Sequence, residues 1–222
     1  MRVFAIDTAL AACSAALLES GTIVARESIP MARGHAEALM PLIARVIAAS
    51  QRDFTQIDRI AVTTGPGSFT GLRVGIAAAR GLGLASGKPV VGLSTLSAFA
   101  APYVGGGEAL AVAIDARHGH VYLQVFGPDG STLVTPRVVP LAEAVHLSGS
   151  GTRLIGNAAS ALAAAWPDGD DALSLVDGRT APDIEWVARL GAAAEPNSAP
   201  PRPLYLRPPD AQPQLAAQLA RR

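Results

Sequence analysis

Over the first hundred residues the apolar positions follow two patterns. Short unbroken runs at 3–6, 13–18, 60–64 and 89–93 read as strands, and 22–27 follows Glu19-Ser20-Gly21 as another. Between them Leu39, Leu42, Ile43, Val46 and Ile47 recur at helical spacing, predicting an amphipathic helix over 36–50. Pro41 lies inside it and should kink it or cost it a hydrogen bond. Further helices are predicted over 72–85 and 95–101, and residues 103–108, with three consecutive glycines, read as a linker.

The second half opens as the first did. Phe4-Ala5-Ile6-Asp7 is echoed by Val112-Ala113-Ile114-Asp115, each an apolar strand ending on aspartate, followed by another strand and a turn. Gly127-Pro128-Asp129-Gly130 supplies the second turn. Strands at 153–155 and 173–176 then alternate with helices at 158–165 and 182–193. Two explanations stand: chance likeness of two apolar hairpins, or two related α/β units, each opening with a β-meander. The second gives units at 1–103 and 109–195, then a proline-rich tail at 196–222. Its prolines from 196 to 213 forbid regular helix, and Leu204-Tyr205-Leu206 is the part suited to dock on the body.

Composition narrows this picture without naming a chemistry. The chain has 222 residues, half of them hydrophobic, which allows one large domain or two small ones with a substantial core. Eighteen acidic residues balance eighteen basic ones, so no global field draws in nucleic acid or a membrane. The single cysteine, Cys13, precludes an internal disulfide and fits a reducing cytoplasm. Leu10-Ala11-Ala12-Cys13 has the form of a lipoprotein cleavage site. Asp7 breaks the apolar run before it, so residues 3–18 are expected to be strands of a cytoplasmic protein.

The densest motif is Gly65-Pro66-Gly67-Ser68-Phe69-Thr70-Gly71-Leu72-Arg73, between a strand and a helix. A strand, a glycine loop and a helix N-terminus can present free N–H groups to an anion. The spacing matches no common catalytic loop. Leu72-Arg73 replaces the Lys-Ser/Thr pair of a Walker A loop, Thr70 stands where a dinucleotide loop needs its third glycine, and Pro66 and Thr70 flank Ser68 where a nucleophile elbow needs glycines. A tight turn before a closely packed helix explains the glycines equally well. Gly71, Gly75, Ala79 and Gly83 then recur every four residues as a smooth helical stripe. Such a stripe serves a partner's backbone or the chain's own sheet, and sequence does not separate the two.

Other candidates are thinner. His118 and His120 lie two apart on an expected strand, pointing the same way, but no third ligand stands nearby; polar surface is the simpler account. His35 precedes a helix carrying Glu37 in its first turn and is expected to serve that terminus. A nucleotide reading selects Asp7, Thr8, Asp115, Gly156 and Asn157, although Thr8-Ala9-Leu10-Ala11-Ala12 lacks the glycine that admits a phosphate, and Asn157 suits a helix N-cap.

Taken together, these segments resemble the TsaB (YeaZ) family, required for threonylcarbamoyladenosine modification of tRNA. The resemblance rests on Ala5-Ile6-Asp7-Thr8, HAEALMP from His35, IAVTTGPGSFTGLRVG from Ile60, residues 90–94, IDARHGHVY from Ile114, and Leu204-Tyr205-Leu206-Arg207. It implies an α/β chain of the actin-like ATPase (ASKHA) fold, two ribonuclease-H-like subdomains around a cleft. It further implies a subunit without catalysis of its own. The TsaD relative, which transfers the carbamoyl group, carries a His-x-x-x-His metal pair; here those positions fall on Thr95 and Phe99, which cannot hold a transition metal. TsaD's adjacent acidic pair falls on Ala11 and Ala12. The family's partners are TsaD, in a heterodimer, and the ATPase TsaE through that complex, with a homodimer when the chain is alone. On this basis Leu39, Leu42, Val46, Gly71, Arg73, Gly75, Ile76, Ala79 and Arg80 are expected at or beside the partner interface. No metal or cofactor of its own is expected beyond weak adenine-nucleotide binding at the complex interface, and tRNA contact is at most minor. The competing class is a stand-alone actin-like ATPase or small-molecule kinase.

Overall fold

The computed structural model describes residues 1–167, 175–196 and 199–207. Strands β1 (Arg2–Asp7), β2 (Ala12–Glu19) and β3 (Thr22–Pro30) form an antiparallel meander. β4 (Arg59–Gly65) and β5 (Val90–Ser94) add in parallel beyond β1, giving the order β3-β2-β1-β4-β5. The second sheet repeats this plan. β6 (Leu110–Asp115), β7 (His120–Phe126) and β8 (Thr132–Pro140) form the meander, β9 (Arg153–Ile155) and β10 (Leu175–Asp177) extend it in parallel, and the order is β8-β7-β6-β9-β10. Two sheets of one topology side by side make the actin-like fold of paired ribonuclease-H-like subdomains. The predicted strand at 173–176 is found from Leu175 onward; residues 173 and 174 lie outside the described residues, as do 197, 198 and everything beyond 207 in the expected tail.

The unbroken apolar runs are explained by burial on both faces. Phe4 and Ile6 of β1 face α1 (His35–Ser50) and α2 (Phe69–Ser86), in one cluster with Leu39, Leu42, Val46, Leu72 and Ile76. Val3 and Ala5, pointing the other way, meet Ile184, Val187 and Ala188 of α6 (Ile184–Ala193). In the second sheet Ala111, Ala113 and Leu123 pack under α4 (Leu141–Ser148) and α5 (Ala159–Ala164). On its opposite face Leu110, Val112 and Ile114 meet Leu96, Phe99 and Ala100 of α3 (Thr95–Ala100). The helices between the sheets therefore trade places: α6 follows β10 in the chain yet covers the first sheet, while α3 follows β5 and covers the second. Arg59 on β4 secures α6 by donating to the carbonyls of Gly191 (2.9 Å) and Ala194, the end of a helix where a cation is favoured.

Several boundaries move for local reasons. α1 runs continuously through Pro41, which forgoes only the hydrogen bond to the Glu37 carbonyl; both residues are exposed, so water can take that place. α2 begins three residues before the predicted start because Ser68 caps it, its hydroxyl accepting from Gly71 N at 3.3 Å; Gly87, at φ +66°, ends it. His118 is not on a strand. Arg117, His118 and Gly119 all have positive φ and form the β6–β7 turn, so His118 and His120 do not share a face. Instead His120 Nδ1 donates to the His118 carbonyl at 2.8 Å. No helix among the described residues is long and apolar enough to cross a membrane.

Candidate functional site

A cleft of about 530 Å³ lies between the two halves, where the C-terminal ends of β1 and β6 approach each other. Such an edge is where open α/β sheets place ligands. Its first wall is the glycine motif, and the structure decides between the two readings of that motif. Ser68 N donates to the Ala9 carbonyl at 2.7 Å, and a Cβ at Gly67 would overlap the same carbonyl. At Gly71 a Cβ would strike the Thr8 carbonyl, and at Gly75 the Thr8 hydroxyl. Thr8 Oγ1 donates to Gly71 O at 2.7 Å. The glycines thus seat the β1–β2 loop against α2, and the motif is a packing joint with its amide already engaged. Farther along, Gly83 leaves room for Val90 and Ala79 is fully buried. The whole stripe faces inward.

This placement corrects most of the expected interface. Leu39, Leu42, Val46, Gly71, Gly75, Ile76 and Ala79 are buried within the chain itself, and only Arg73 and Arg80 of the nine are exposed. A helical period of small residues looks the same whether it meets a partner or the helix's own sheet, so the spacing left both readings open and only the resemblance had placed these residues at an interface.

The nucleotide candidates divide as well. Asp7 is 0% exposed and does not line the cleft. Its Oδ1 accepts from Thr63 Oγ1 and from Ala9 N at 3.2 Å, while Oδ2 has no hydrogen-bond partner among the described residues. Burial outweighs those bonds and pushes its carboxyl up to about 6. Thr8 is sealed with it. Above them His35, buried as the first residue of α1, donates from Nε2 to the Leu10 carbonyl at 3.0 Å; it ties the β1–β2 loop and does not cap the helix. In the second half Asp115 is exposed and lines the cleft with Asn157. Asp115 Oδ1 accepts from Arg117 N, and Asn157 Oδ1 accepts from Asp115 N, both at 2.8 Å. Asn157 therefore braces the end of β6, and the N-cap position of α5 belongs to Ala158. Gly156, at φ +103°, lies against the Ala113 carbonyl and outside the cleft lining.

The cleft's floor was the least legible part. Residues 199–207 form a strap across the body. Leu204 N donates to the Thr64 carbonyl at 2.7 Å beside Gly65, where a Cβ would come within 2.8 Å of the Leu204 carbonyl. Tyr205 lies against Phe69 with ring centres 5.1 Å apart, and Arg207 Nη1 donates to the Ala116 carbonyl at 2.9 Å in the second half. The expected docking of Leu204-Tyr205-Leu206 is met, and the strap touches both halves. The Phe69 contact was missed, although an exposed aromatic at a helix start and a tyrosine in a proline-rich segment were the signals available. Among the described residues no group of three or more His, Cys, Asp or Glu could hold a metal.

Comparison with known proteins adds the following. A family model described as TsaD, tRNA N6-adenosine threonylcarbamoyltransferase, matches residues 24–176. The chain is 43% identical over 125 residues to the tRNA threonylcarbamoyladenosine biosynthesis protein TsaB of Escherichia coli, covering 55% of this chain and 53% of that protein. It is 36% identical over 213 residues to an uncharacterized protein of Mycobacterium tuberculosis, covering 95% and 94% of the two chains. The solved structure of YeaZ from Pseudomonas aeruginosa superposes with a TM-score of 0.77 at 27% identity, over 92% of this chain and 99% of that one. The match spans about half the length of the curated TsaB relatives.

Proposed function

The chain belongs to the TsaB (YeaZ) family, and on that premise we propose that it is a non-catalytic scaffold subunit in tRNA threonylcarbamoyladenosine synthesis. It pairs with TsaD and holds it in an active conformation, and the pair offers TsaE its docking surface. TsaD then transfers threonylcarbamoyl from its adenylate to the adenosine beside the anticodon, with AMP as the leaving group. The observation that carries this reading is the outer face of α1 and α2. Met40 is 51% exposed and Leu84 87%, and Pro41, Ala44, Ala48 and Ala77 are exposed around them. Apolar and small residues open to solvent on two adjacent helices suit close packing against another helical surface. The lack of chemistry of its own is supported by Thr95 and Phe99, both buried, which stand where the resemblance implies TsaD's metal ligands would fall.

Size-exclusion chromatography with light scattering tests the pairing, using this chain alone and mixed with TsaD from the same organism. A one-to-one complex supports the scaffold; no complex at micromolar concentration overturns it. The cleft favours a second reading, an adenine-nucleotide site built on Asp115 and Asn157, alone or at the complex interface. ATP turnover or binding by the isolated chain, lost in Asp115→Ala, would establish it.

A further inference from the structure

The strap at 199–207 crosses the cleft from one wall to the other, and its two ends are fastened by different chemistry. On the first half the hold is broad. Pro201 is buried against Gly92 of β5, where a Cβ would come within 3.0 Å of it. Leu204 N donates to the Thr64 carbonyl at 2.7 Å, and Tyr205 packs on Phe69 while its hydroxyl accepts from Arg73 Nε at 2.9 Å. The Arg73 guanidinium in turn lies 3.7 Å over the Phe69 ring. On the second half Arg207 reaches the Ala116 carbonyl at 2.9 Å, at the root of the β6–β7 turn, in a bond strengthened by the donor's charge. Phe69 and Ala116 line the cleft from opposite sides, and residues 204–207 line it between them.

This tie has no slack. Only Leu206 separates the fastened Tyr205 from Arg207, so about 7 Å of backbone at most joins the two ends. Pro200, Pro201 and Pro203 stiffen the chain leading in, which cannot pay out extra length. The other ties between the halves are of a kind that permits rotation. The chain passes between them at 101–109 and 178–183, and α3 and α6 meet the opposite sheets through apolar side chains, whose contacts are non-directional and tolerate small sliding. We propose that the strap is a clasp. It holds the two walls at the separation seen here, with the two crossovers as the pivot, and release of Arg207 from Ala116 lets the cleft open. The clasp thereby sets how far Asp115 and Asn157 stand from the glycine motif. It is a property of the chain alone, so its test needs no partner.

The width of the cleft is read by pulsed electron paramagnetic resonance between spin labels at Thr70→Cys and Arg117→Cys, exposed residues on opposite walls. Cys13, fully buried, is replaced by alanine, and labelled chains are diluted with unlabelled ones so that distances within one copy are read. The clasped chain should give one narrow distribution. Arg207→Ala is expected to shift it to longer distances and broaden it, and Arg207→Lys, which keeps a charged donor, to do so less. Leu204→Pro removes the donor that holds the strap to the first half and should produce the same shift. Combining it with Arg207→Ala should add nothing, because a clasp cut at either end is already open. Melting curves accompany each variant, and Tyr205→Ala takes the place of Leu204→Pro if the latter does not fold. An unchanged distance in folded Arg207→Ala overturns the inference. Shifts that add in the double variant overturn it as well, since they would mark two independent packing contacts.

Discussion

The two halves share a strand order and each ends its first strand on an aspartate, but they treat that aspartate in opposite ways. In the first half the β1–β2 loop folds under α2, Thr8 is bonded into the helix, and Asp7 is sealed in the core. In the second half the turn after β6 swings outward through Arg117, His118 and Gly119, and Asp115 remains at the cleft. The elements follow suit. The first half has eighteen residues in α2, where the helix in the same place in the second half, α5, has six. A duplicated topology therefore does not carry a duplicated site. What separates the halves is a run of residues without side chains, which lets a loop occupy the space a ligand would need.

Four changes would break or sharpen this contrast, beginning with the most severe. Gly71→Ala puts a methyl into the Thr8 carbonyl and should cost about 3 kcal/mol, forcing the loop off the helix. Loss of the cooperative melting transition, or a large fall in its midpoint, would register this. An unperturbed protein would mean the loop is not clamped.

Asp7→Asn acts in the other direction. The folded pKa is raised from 3.8 to about 6, so the folded chain holds a proton that the unfolded chain releases in that range. That contribution is complete below pH 3.8 and is lost as pH rises through about 6, leaving a cost of about 2–3 kcal/mol at neutral pH. The asparagine variant should melt higher than the parent at pH 7.5 and lack this decline between pH 4 and 6. Part of the gain is offset because its amide inherits the unpartnered position. Thermal melts across pH measure this.

Tyr205→Ala removes the strap's contact with Phe69 and Arg73 and should cost about 1 kcal/mol, seen as faster proteolysis near the strap. The smallest change is a gain. Gly81 lies on the open side of α2 with nothing near its missing Cβ, so Gly81→Ala should add about 0.5–1 kcal/mol. Opposite signs at Gly71 and Gly81, ten residues apart on one helix, would show directly which face is packed.

Much of this plan is readable from residues. The echo of Asp7 by Asp115 announces the repeated sheets, and unbroken apolar runs such as 3–6 announce strands covered on both sides. The site is less readable because its decisive contacts span long separations. Asp7 is sealed by Thr63, fifty-six residues away, and Arg73 meets Tyr205 across 132. Periodicity reports that Gly71, Gly75 and Ala79 share a face but not what that face meets. Leu39 and Leu42 were placed correctly on a helix, and the resemblance set them at or beside a partner interface, whereas both lie in the core. Burial in this chain was the safer inference for them, since strands of unbroken apolar residues need helices to cover both faces of the sheet.

The central claim is that function resides on the outer helical face and not in the cleft. Threonylcarbamoylation of tRNA by TsaD and TsaE, reconstituted with variants of this chain, tests it most directly. Met40→Glu/Leu84→Glu, two exposed positions on that face, should abolish the stimulation of TsaD, while Asp115→Ala/Asn157→Ala should preserve it. Stimulation that survives the first pair and disappears with the second would contradict the account and move the function into the cleft.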